Sequence, residues 1–360
     1  MIIVRATVHS MAIPLTVPYT IAYVTITDTV NHFLVLETND GVCGVGCAAA
    51  APDVTDETPE MSFAALNSII PLINGRALGD PEYWASIIRS LSNTPSAMTA
   101  LDMALADMSA SAANQSLVEW MGGREGALKA VTTSVTIGIS SLQETLDRGR
   151  LLIKQGFHFI KVKGGHNVQL DIDRLTILRD ELGSEIMLAL DANQGYSLQD
   201  VEKLDRDAST LKLSYLEQPT PKLDFPLLGL AASATSIPVM ADEAVQTEDD
   251  AKHIGDLGSV RLINIKLQKM GGFGASSQID AIAVQAGMRT MLGCMDESAL
   301  SICAALHFGA AHPNVQFYDL DGHFDLSEDP FESLVTLHAG KLLAPTKPGL
   351  GWTKLPPFHY

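Results

Sequence analysis

The sequence predicts an α/β protein: a TIM-like (β/α)8-type barrel with an N-terminal α+β capping domain. Three observations predict it. Charged residues close successive apolar runs at even intervals: Asp191 in Leu188-Ala189-Leu190-Asp191-Ala192-Asn193, Glu217 in Leu216-Glu217-Gln218-Pro219, Asp242 in Met240-Ala241-Asp242-Glu243, and Lys266 in Leu262-Ile263-Asn264-Ile265-Lys266. The interval, about 25 residues, is roughly what a strand, a crossover helix and their loops consume. Eight β-rich runs follow one another with helix-like stretches between them, which suits a closed parallel sheet. The residues before about 125 instead hold strands and then helices in blocks, as a separate α+β unit does.

The N-terminal unit begins with strands at 1–10, 31–39 and 42–48, the last two joined by the turn Asn39-Asp40-Gly41. Helices are predicted over Met61–Gly75, Glu82–Leu91 and Ser96–Met121, where Met98, Leu101, Leu105 and Met108 recur at the spacing of a buried helical face. The barrel strands are predicted at Val131–Ile137, Phe159–Lys163, Ile186–Asp191, Leu213–Glu217, Pro238–Asp242, Leu262–Lys266, Thr290–Cys294 and Val315–Asp321. Helices between them include Ser141–Gln155, Leu170–Leu182, Ser197–Asp205, Thr247–Leu257, Ser276–Ala286 and Ser298–Ala311. Gly156, Gly183, Gly258 and Gly287 follow four of these as C-terminal stops. The division expected is a capping domain over 1–125, a catalytic barrel over 126–328, and a tail over 329–360, rich in proline and glycine, that completes the cap.

Composition excludes several classes. At 46% hydrophobic residues the chain has ample core, yet no apolar run approaches a membrane span. The start, Met-Ile-Ile-Val-Arg, lacks the basic start and cleavage site expected of a signal peptide. Cys43, Cys47, Cys294 and Cys303 show neither metal-type spacing nor a disulfide framework, so a reduced cytoplasmic protein is expected. A formal charge of −18 opposes a nucleic-acid partner. The ten histidines form no zinc-type pair. Gly271-Gly272-Phe273-Gly274 lacks the Gly-Lys-Thr/Ser ending of a phosphate loop and is expected to let backbone pass close to the pocket. Ser298, Ser301 and His307 share one helix and are expected to be surface or core rather than catalytic.

In Phe159-Ile160-Lys161-Val162-Lys163, alternation on a strand points both lysines to one face. Two adjacent ammonium groups repel, which should lower one pKa toward that of a general base. Two solvated lysines on an edge strand are the plainer alternative, weakened by the carboxylates that follow. Carboxylates at the C-terminal ends of consecutive barrel strands converge on the rim where such barrels hold their sites. Oxygen ligands of this kind suit a hard divalent ion, Mg²⁺ first and Mn²⁺ second. Lys163 on the second strand and Lys266 on the sixth then face each other across the mouth. That placement suits removal of a proton beside a carboxylate on one face and its return on the other, with the metal offsetting the developing charge.

These motifs together (Lys-x-Lys, Asp-Ala-Asn, Glu-Gln-Pro, Ala-Asp-Glu and Asn-Ile-Lys) resemble the enolase superfamily, in its muconate-lactonising subgroup, over essentially the whole chain. The resemblance implies metal at Asp191, Glu217 and Asp242, acid and base roles for Lys163 and Lys266, and Lys161 supporting the substrate carboxylate. Within the subgroup, Phe317-Tyr318-Asp319-Leu320-Asp321-Gly322 resembles the dipeptide epimerases, which implies that Asp319 and Asp321 hold a dipeptide's α-ammonium group. Met291-Leu292-Gly293-Cys294-Met295-Asp296-Glu297-Ser298 and Thr136 are similar to segments of that family too, which implies that Thr136, Cys294 and Asp296 border the substrate. In members that act on Ala-Glu, an arginine follows a Pro-(Phe/Tyr) pair; here Pro18-Tyr19 is followed by Tyr23 at that place. A hydrophobic or cationic second residue is therefore expected, epimerised by 1,1-proton transfer at its α-carbon. The partner expected is a small dipeptide, with no nucleic acid or membrane and room for a homo-oligomer. The alternative reading is an N-acylamino-acid racemase, an o-succinylbenzoate synthase or a muconate cycloisomerase, whose substrates lack the ammonium group that the aspartates would meet.

Overall fold

The computed structural model describes residues 1–20, 25–124 and 126–358. Its N-terminal sheet is antiparallel, with Ile3–Thr20 at one edge, Thr25–Thr38 in the centre and Cys43–Ala49 at the other edge. The first two strands run well beyond the expected 1–10 and 31–39. Pro14 and Pro18, which argue against a strand in the sequence, are tolerated because this strand is an edge and needs fewer ladder donors. Ile13 and Leu15 alternate inward onto Leu326, so the extension forms a ribbon against the barrel.

Helices Pro59–Ile73, Pro81–Ser90 and Pro95–Ala112 pack on this sheet. The expected helix Ser96–Met121 ends at Ala112, and Leu117–Trp120 forms a separate turn. Helix Pro95–Ala112 lies against the sheet backbone. A Cβ added to Gly46 would overlap the Ala100 carbonyl, and one added to Gly44 would overlap that of Ala104. Asp107 of this helix, fully buried, accepts hydrogen bonds from Val45 N (2.9 Å), Leu350 N (2.7 Å) and Trp352 Nε1 (2.8 Å), joining sheet, helix and C-terminal tail.

Eight parallel strands pair in chain order: Val135–Ile137, Phe159–Lys163, Met187–Asp191, Leu216–Glu217, Val239–Ala241, Leu262–Ile265, Arg289–Leu292 and Val315–Tyr318. The seam between eighth and first is no ladder. Ser134 N donates to Tyr318 O and Leu320 N to Thr133 Oγ1, each at 2.9 Å. The predicted strand Val131–Ile137 is two strands, because Val131–Thr132 leaves the barrel to pair with the tail hairpin Thr336–His338/Lys341–Leu343. The eighth strand stops at Tyr318, so Asp319 and Asp321 lie on the loop beyond it rather than on a strand face. Phe159, Ala189, Tyr215, Met240, Leu262 and Met291 fill the barrel interior, with Phe317 packed against them.

The glycine-rich run after the sixth strand brings backbone close to the cap, not to the pocket. A Cβ at Gly272 (φ +104°) would overlap Asp102 of the capping helix, whose carboxylate accepts from Phe273 N (2.6 Å) at the start of helix Phe273–Gln285. Thr99 Oγ1 donates to Leu267 O (2.6 Å) and Ala49 N to Gln268 Oε1 (3.0 Å). Further out, Val54 O receives Lys222 Nζ (3.1 Å) and Gln246 Nε2 (2.8 Å) from the barrel. These bonds seat the cap over the C-terminal mouth of the barrel. Among the described residues, no helix is long and apolar enough to cross a membrane.

Candidate active site

A cavity of about 730 Å³ lies between cap and barrel mouth. The second strand carries Lys161 and Lys163 to its end, in register with Ala189 and Asp191 of the third. Asp191 pairs with Glu217 of the fourth strand. Asp242 follows the fifth strand and Lys266 the sixth. The rim charges expected from the sequence are therefore neighbours in space. Thr136, Lys161, Lys163, Asp242, Lys266, Cys294, Asp296, Asp319 and Asp321 line the cavity, while Asp191 and Glu217 are buried at its base. Tyr23 lies outside the described residues.

Each lysine meets a carboxylate. Lys163 Nζ is 2.7 Å from Asp191 Oδ2, and Lys266 Nζ is 2.8 Å from Asp242 Oδ2. Lys161 Nζ is paired tightly to Asp319 and lies 3.5 Å from Glu217 Oε2 and 3.8 Å from Asp191 Oδ2. The repulsion expected to depress a lysine pKa is overruled at Lys161. Burial pushes that ammonium down, but Asp319, Glu217 and Asp191 outweigh burial and leave it well above its ordinary value. Burial likewise lowers Lys266, and Asp242 and Glu217 more than reverse it. Burial raises Asp242 but Lys266 and Lys269 hold it far below the usual carboxylate range, whereas burial and the charge of Asp191 push Glu217 up to about 8.

Past the eighth strand, Asp319 accepts from Lys161 and from Ser134 Oγ, and Asp321 Oδ2 accepts from Thr136 N at 2.7 Å. Asp319 thus turns toward the lysine, and the two carboxylates are held differently. Cys294 brackets this loop: its thiol donates to Asp319 O (3.2 Å) and accepts from Gly322 N (3.3 Å). Burial raises its pKa well above the ordinary value, which favours the protonated thiol. The Asp296 carbonyl accepts from Thr29 Oγ1 (2.9 Å) and Asn31 Nδ2 (3.1 Å), tying the cap ribbon to the seventh strand's loop.

Several residues at the site carried no role in the sequence reading. Lys269 is fully buried and donates to Asp242 Oδ1 and Asp242 O, each at 2.5 Å, and to Asn264 O at 3.1 Å. It lies three residues after Lys266, on the four-residue helix Leu267–Met270 that Lys266 caps, a signal too short to distinguish from surface charge. Asn264 Nδ2 donates to Glu217 Oε1 at 2.7 Å. Arg174, fully buried, donates to Lys163 O (2.6 Å), Gly138 O (2.5 Å) and Thr145 Oγ1 (2.8 Å), fixing the end of the strand that bears Lys163.

Among the described residues, no three His, Cys, Asp or Glu side chains are gathered closely enough to hold a metal ion in this arrangement, in which lysine ammonium groups pair with Asp191 and Asp242. The donor set still fits a hard cation. Glu217 Oε2 is buried without a hydrogen-bond partner, with Lys161 Nζ no nearer than 3.5 Å and two further carboxylates beside it, a state that more positive charge relieves.

A barrel whose mouth gathers three strand-end carboxylates and flanks them with lysines, under an α+β cap, is an enolase-type architecture. The match is borne out by family: the mandelate racemase/muconate lactonizing enzyme N-terminal domain matches residues 3–122 and the enolase C-terminal domain-like family matches residues 144–354. The chain belongs to this family, within the enolase superfamily, and its relatives at 31–37% identity include several dipeptide epimerases, with an N-succinyl-L-Arg/Lys racemase from Bacillus cereus more distant at 27%. It is 37% identical to the L-Lys-D/L-Arg epimerase of Methylococcus capsulatus, over 94% of this chain and 95% of the relative. A structure of the dipeptide epimerase from that organism, complexed with Mg and L-Arg-D-Lys, matches with TM-score 0.90 and 35% identity over 98% and 99% of the two chains. A substrate-liganded L-Ala-D/L-Glu epimerase from Bacillus subtilis matches with TM-score 0.91 and 31% identity, over 98% of each chain.

Proposed function

We propose that this chain is a Mg²⁺-dependent dipeptide epimerase that inverts the α-carbon of the C-terminal residue by 1,1-proton transfer. The observation that carries the reading is the pair Lys163 and Lys266, which reach the cavity from the second and sixth strands, each beside a different carboxylate, Asp191 and Asp242. Asp191, Glu217 and Asp242 would hold the metal. When bound, Mg²⁺ supplies positive charge that stabilises the negative charge developing on the substrate carboxylate.

The rest is done by side chains. One lysine, as the free amine, takes the α-proton from one face, and the other, as the ammonium, donates a proton to the opposite face. The two lysines end with exchanged protonation states, which solvent resets. Lys161, held charged by its carboxylate neighbours, sits where it can accompany the substrate carboxylate through the reaction. Asp321 and Asp319 supply the carboxylates that would meet the dipeptide's ammonium group, a requirement an N-acylated substrate does not have.

The outer wall of the cavity favours a cationic side chain on the dipeptide, with a hydrophobic one next. Asp28, Asp53, Glu144, Asp296 and Asp325 line it, with Arg148 as the opposing charge among the residues away from the catalytic lysines. The four cysteines are free, which supports a reducing, cytoplasmic setting. The test is ¹H NMR in D₂O of an L,L-dipeptide panel with enzyme and Mg²⁺. Loss of the C-terminal residue's α-proton signal, abolished by EDTA, is expected, fastest with Lys or Arg side chains. No exchange on any dipeptide by folded, Mg²⁺-loaded enzyme overturns the epimerase; a clear preference for L-Ala-L-Glu overturns the specificity.

A further inference from the structure

Beside the three expected ligands stands a fourth carboxylate with no role so far. Glu243, adjoining Asp242, is 2% exposed and lines the cavity, and its Oε2 has no hydrogen-bond partner. Asn193, 5% exposed, lines the same wall, and its Oδ1 is likewise unpartnered. The two side chains touch: Asn193 Nδ2 donates to Glu243 Oε1 at 3.3 Å, joined by Gln194 Nε2 at 3.4 Å. One oxygen of Glu243 is thereby fixed and the other left open.

The backbone is strained to achieve this. Asn193 (φ +40°) and Gln194 (φ +69°) are both left-handed, as is Gln218 (φ +30°), conformations that cost about 1–3 kcal/mol each for such residues. They are held by bonds among the loops after the third, fourth and fifth strands. Asn193 N donates to Asp191 Oδ1 (2.9 Å) and Gln194 N to Gln218 O (2.7 Å). Gln218 Oε1 accepts from Asp242 N (2.9 Å) and Ala244 N (3.1 Å). The same frame therefore orients Asp191, Asp242 and the Asn193–Glu243 pair.

Two buried acceptors left open on one wall call for donors or positive charge, since an unmet buried carboxylate oxygen is costly. The nearest chemistry that answers both is a hydrated divalent cation, whose bound waters are all donors. We infer that Glu243 and Asn193 form an outer acceptor pair of the metal centre, taking hydrogen bonds from the hydration shell of Mg²⁺ held by Asp191, Glu217 and Asp242. The inference rests on the metal centre proposed above.

It is tested by calorimetric titration of EDTA-treated, dialysed protein with Mg²⁺, alongside melting temperature against Mg²⁺ concentration, for wild type, Asp191→Asn and Glu243→Gln. Glutamine keeps Oε1 for Asn193 and Gln194 and replaces the open acceptor with a donor. Glu243→Gln is expected to bind Mg²⁺ about 10- to 100-fold more weakly than wild type, and Asp191→Asn to show no binding. Unchanged Mg²⁺ affinity in Glu243→Gln, with an altered KM for dipeptide, overturns the inference while leaving the metal centre intact. Wild type that shows no Mg²⁺ response overturns the centre and the inference together. Should Glu243→Gln not fold, Glu243→Asp, which withdraws the open oxygen but keeps the charge, is titrated instead; affinity equal to wild type overturns the inference, and a weaker one supports it.

Discussion

Lys269 holds Asp242 by both its carboxylate and its own backbone carbonyl, with Nζ 2.5 Å from Oδ1 and 2.5 Å from O. One oxygen of the carboxylate is thus committed to a fully buried ammonium, leaving Oδ2 to Lys266 and the cavity. Lys269→Met removes one partner of a buried ion pair and strands the other. We expect a stability loss of about 3 kcal/mol by urea denaturation; a loss below about 1 kcal/mol would show that Lys266 alone satisfies Asp242.

The two proposed catalytic lysines give separable signatures. Lys163→Ala and Lys266→Ala are each expected to lower kcat for epimerisation by about a thousandfold or more. Each variant keeps one base, so one should still exchange the α-proton of the L,L substrate with D₂O and the other that of the L,D substrate. Exchange of both isomers by either single variant would disprove the two-base scheme.

Mg²⁺ binding is expected to depend on pH through the proposed ligand Glu217. Its pKa, raised to about 8 by burial and by Asp191, means that below pH 8 a proton must leave before the carboxylate can ligate. Apparent Mg²⁺ affinity is expected to rise by up to about tenfold per pH unit between about 6 and 8 and to level above that. Glu217→Gln should abolish binding throughout. A flat profile from pH 6 to 8 would contradict the assignment of Glu217 as a ligand.

Acid lability follows from His307, which accepts from Val118 N at 3.1 Å through Nδ1. Burial lowers its pKa from 6.5 to about 4, so folding favours the neutral ring. Above pH 6.5 both states are neutral and the contribution is complete. As pH falls, the unfolded chain protonates first and the contribution shrinks until about pH 4, amounting to about 3 kcal/mol. Denaturation curves for wild type and His307→Gln should differ in slope over this window; equal slopes would rule out the histidine as the cause.

Cap packing is tested at Gly46. Alanine there would drive a methyl group into the Ala100 carbonyl and lift helix Pro95–Ala112 from the sheet. A loss of about 3 kcal/mol is expected, read as a lower melting temperature; a melting temperature equal to wild type would mean that the helix shifts freely.

What the sequence disclosed, and what it did not, has a physical pattern. Rim charges were legible because each closes a run of buried strand, so Lys163, Asp191, Glu217, Asp242 and Lys266 stand out by position alone. Residues that support them were hidden. Lys269 lies on a four-residue helical turn, and Arg174 is a charged residue on an ordinary amphipathic helix; only tertiary packing reveals that both are fully buried. The cap ribbon runs past the expected strand 1–10 because an edge strand tolerates Pro14 and Pro18. The eighth strand is shorter than the sequence predicts, since apolar alternation continues through Leu320 although the ladder stops at Tyr318. The lysine pKa shift went the other way because the anions that surround Lys161 come from three other strands or their loops.

The aromatic and aliphatic plug of Phe159, Tyr215, Phe317, Met240 and Met291 fills the barrel interior, on the side away from the cap. Among the described residues, the cavity's outer part is bordered by the cap ribbon and the loop around Val54. Substrate and both epimers would pass the same cap residues, so those residues would bear on binding and on product release together. A substitution there that tightens binding should slow release of both hands alike, and leave the equilibrium between them, which belongs to the dipeptides alone, where it was.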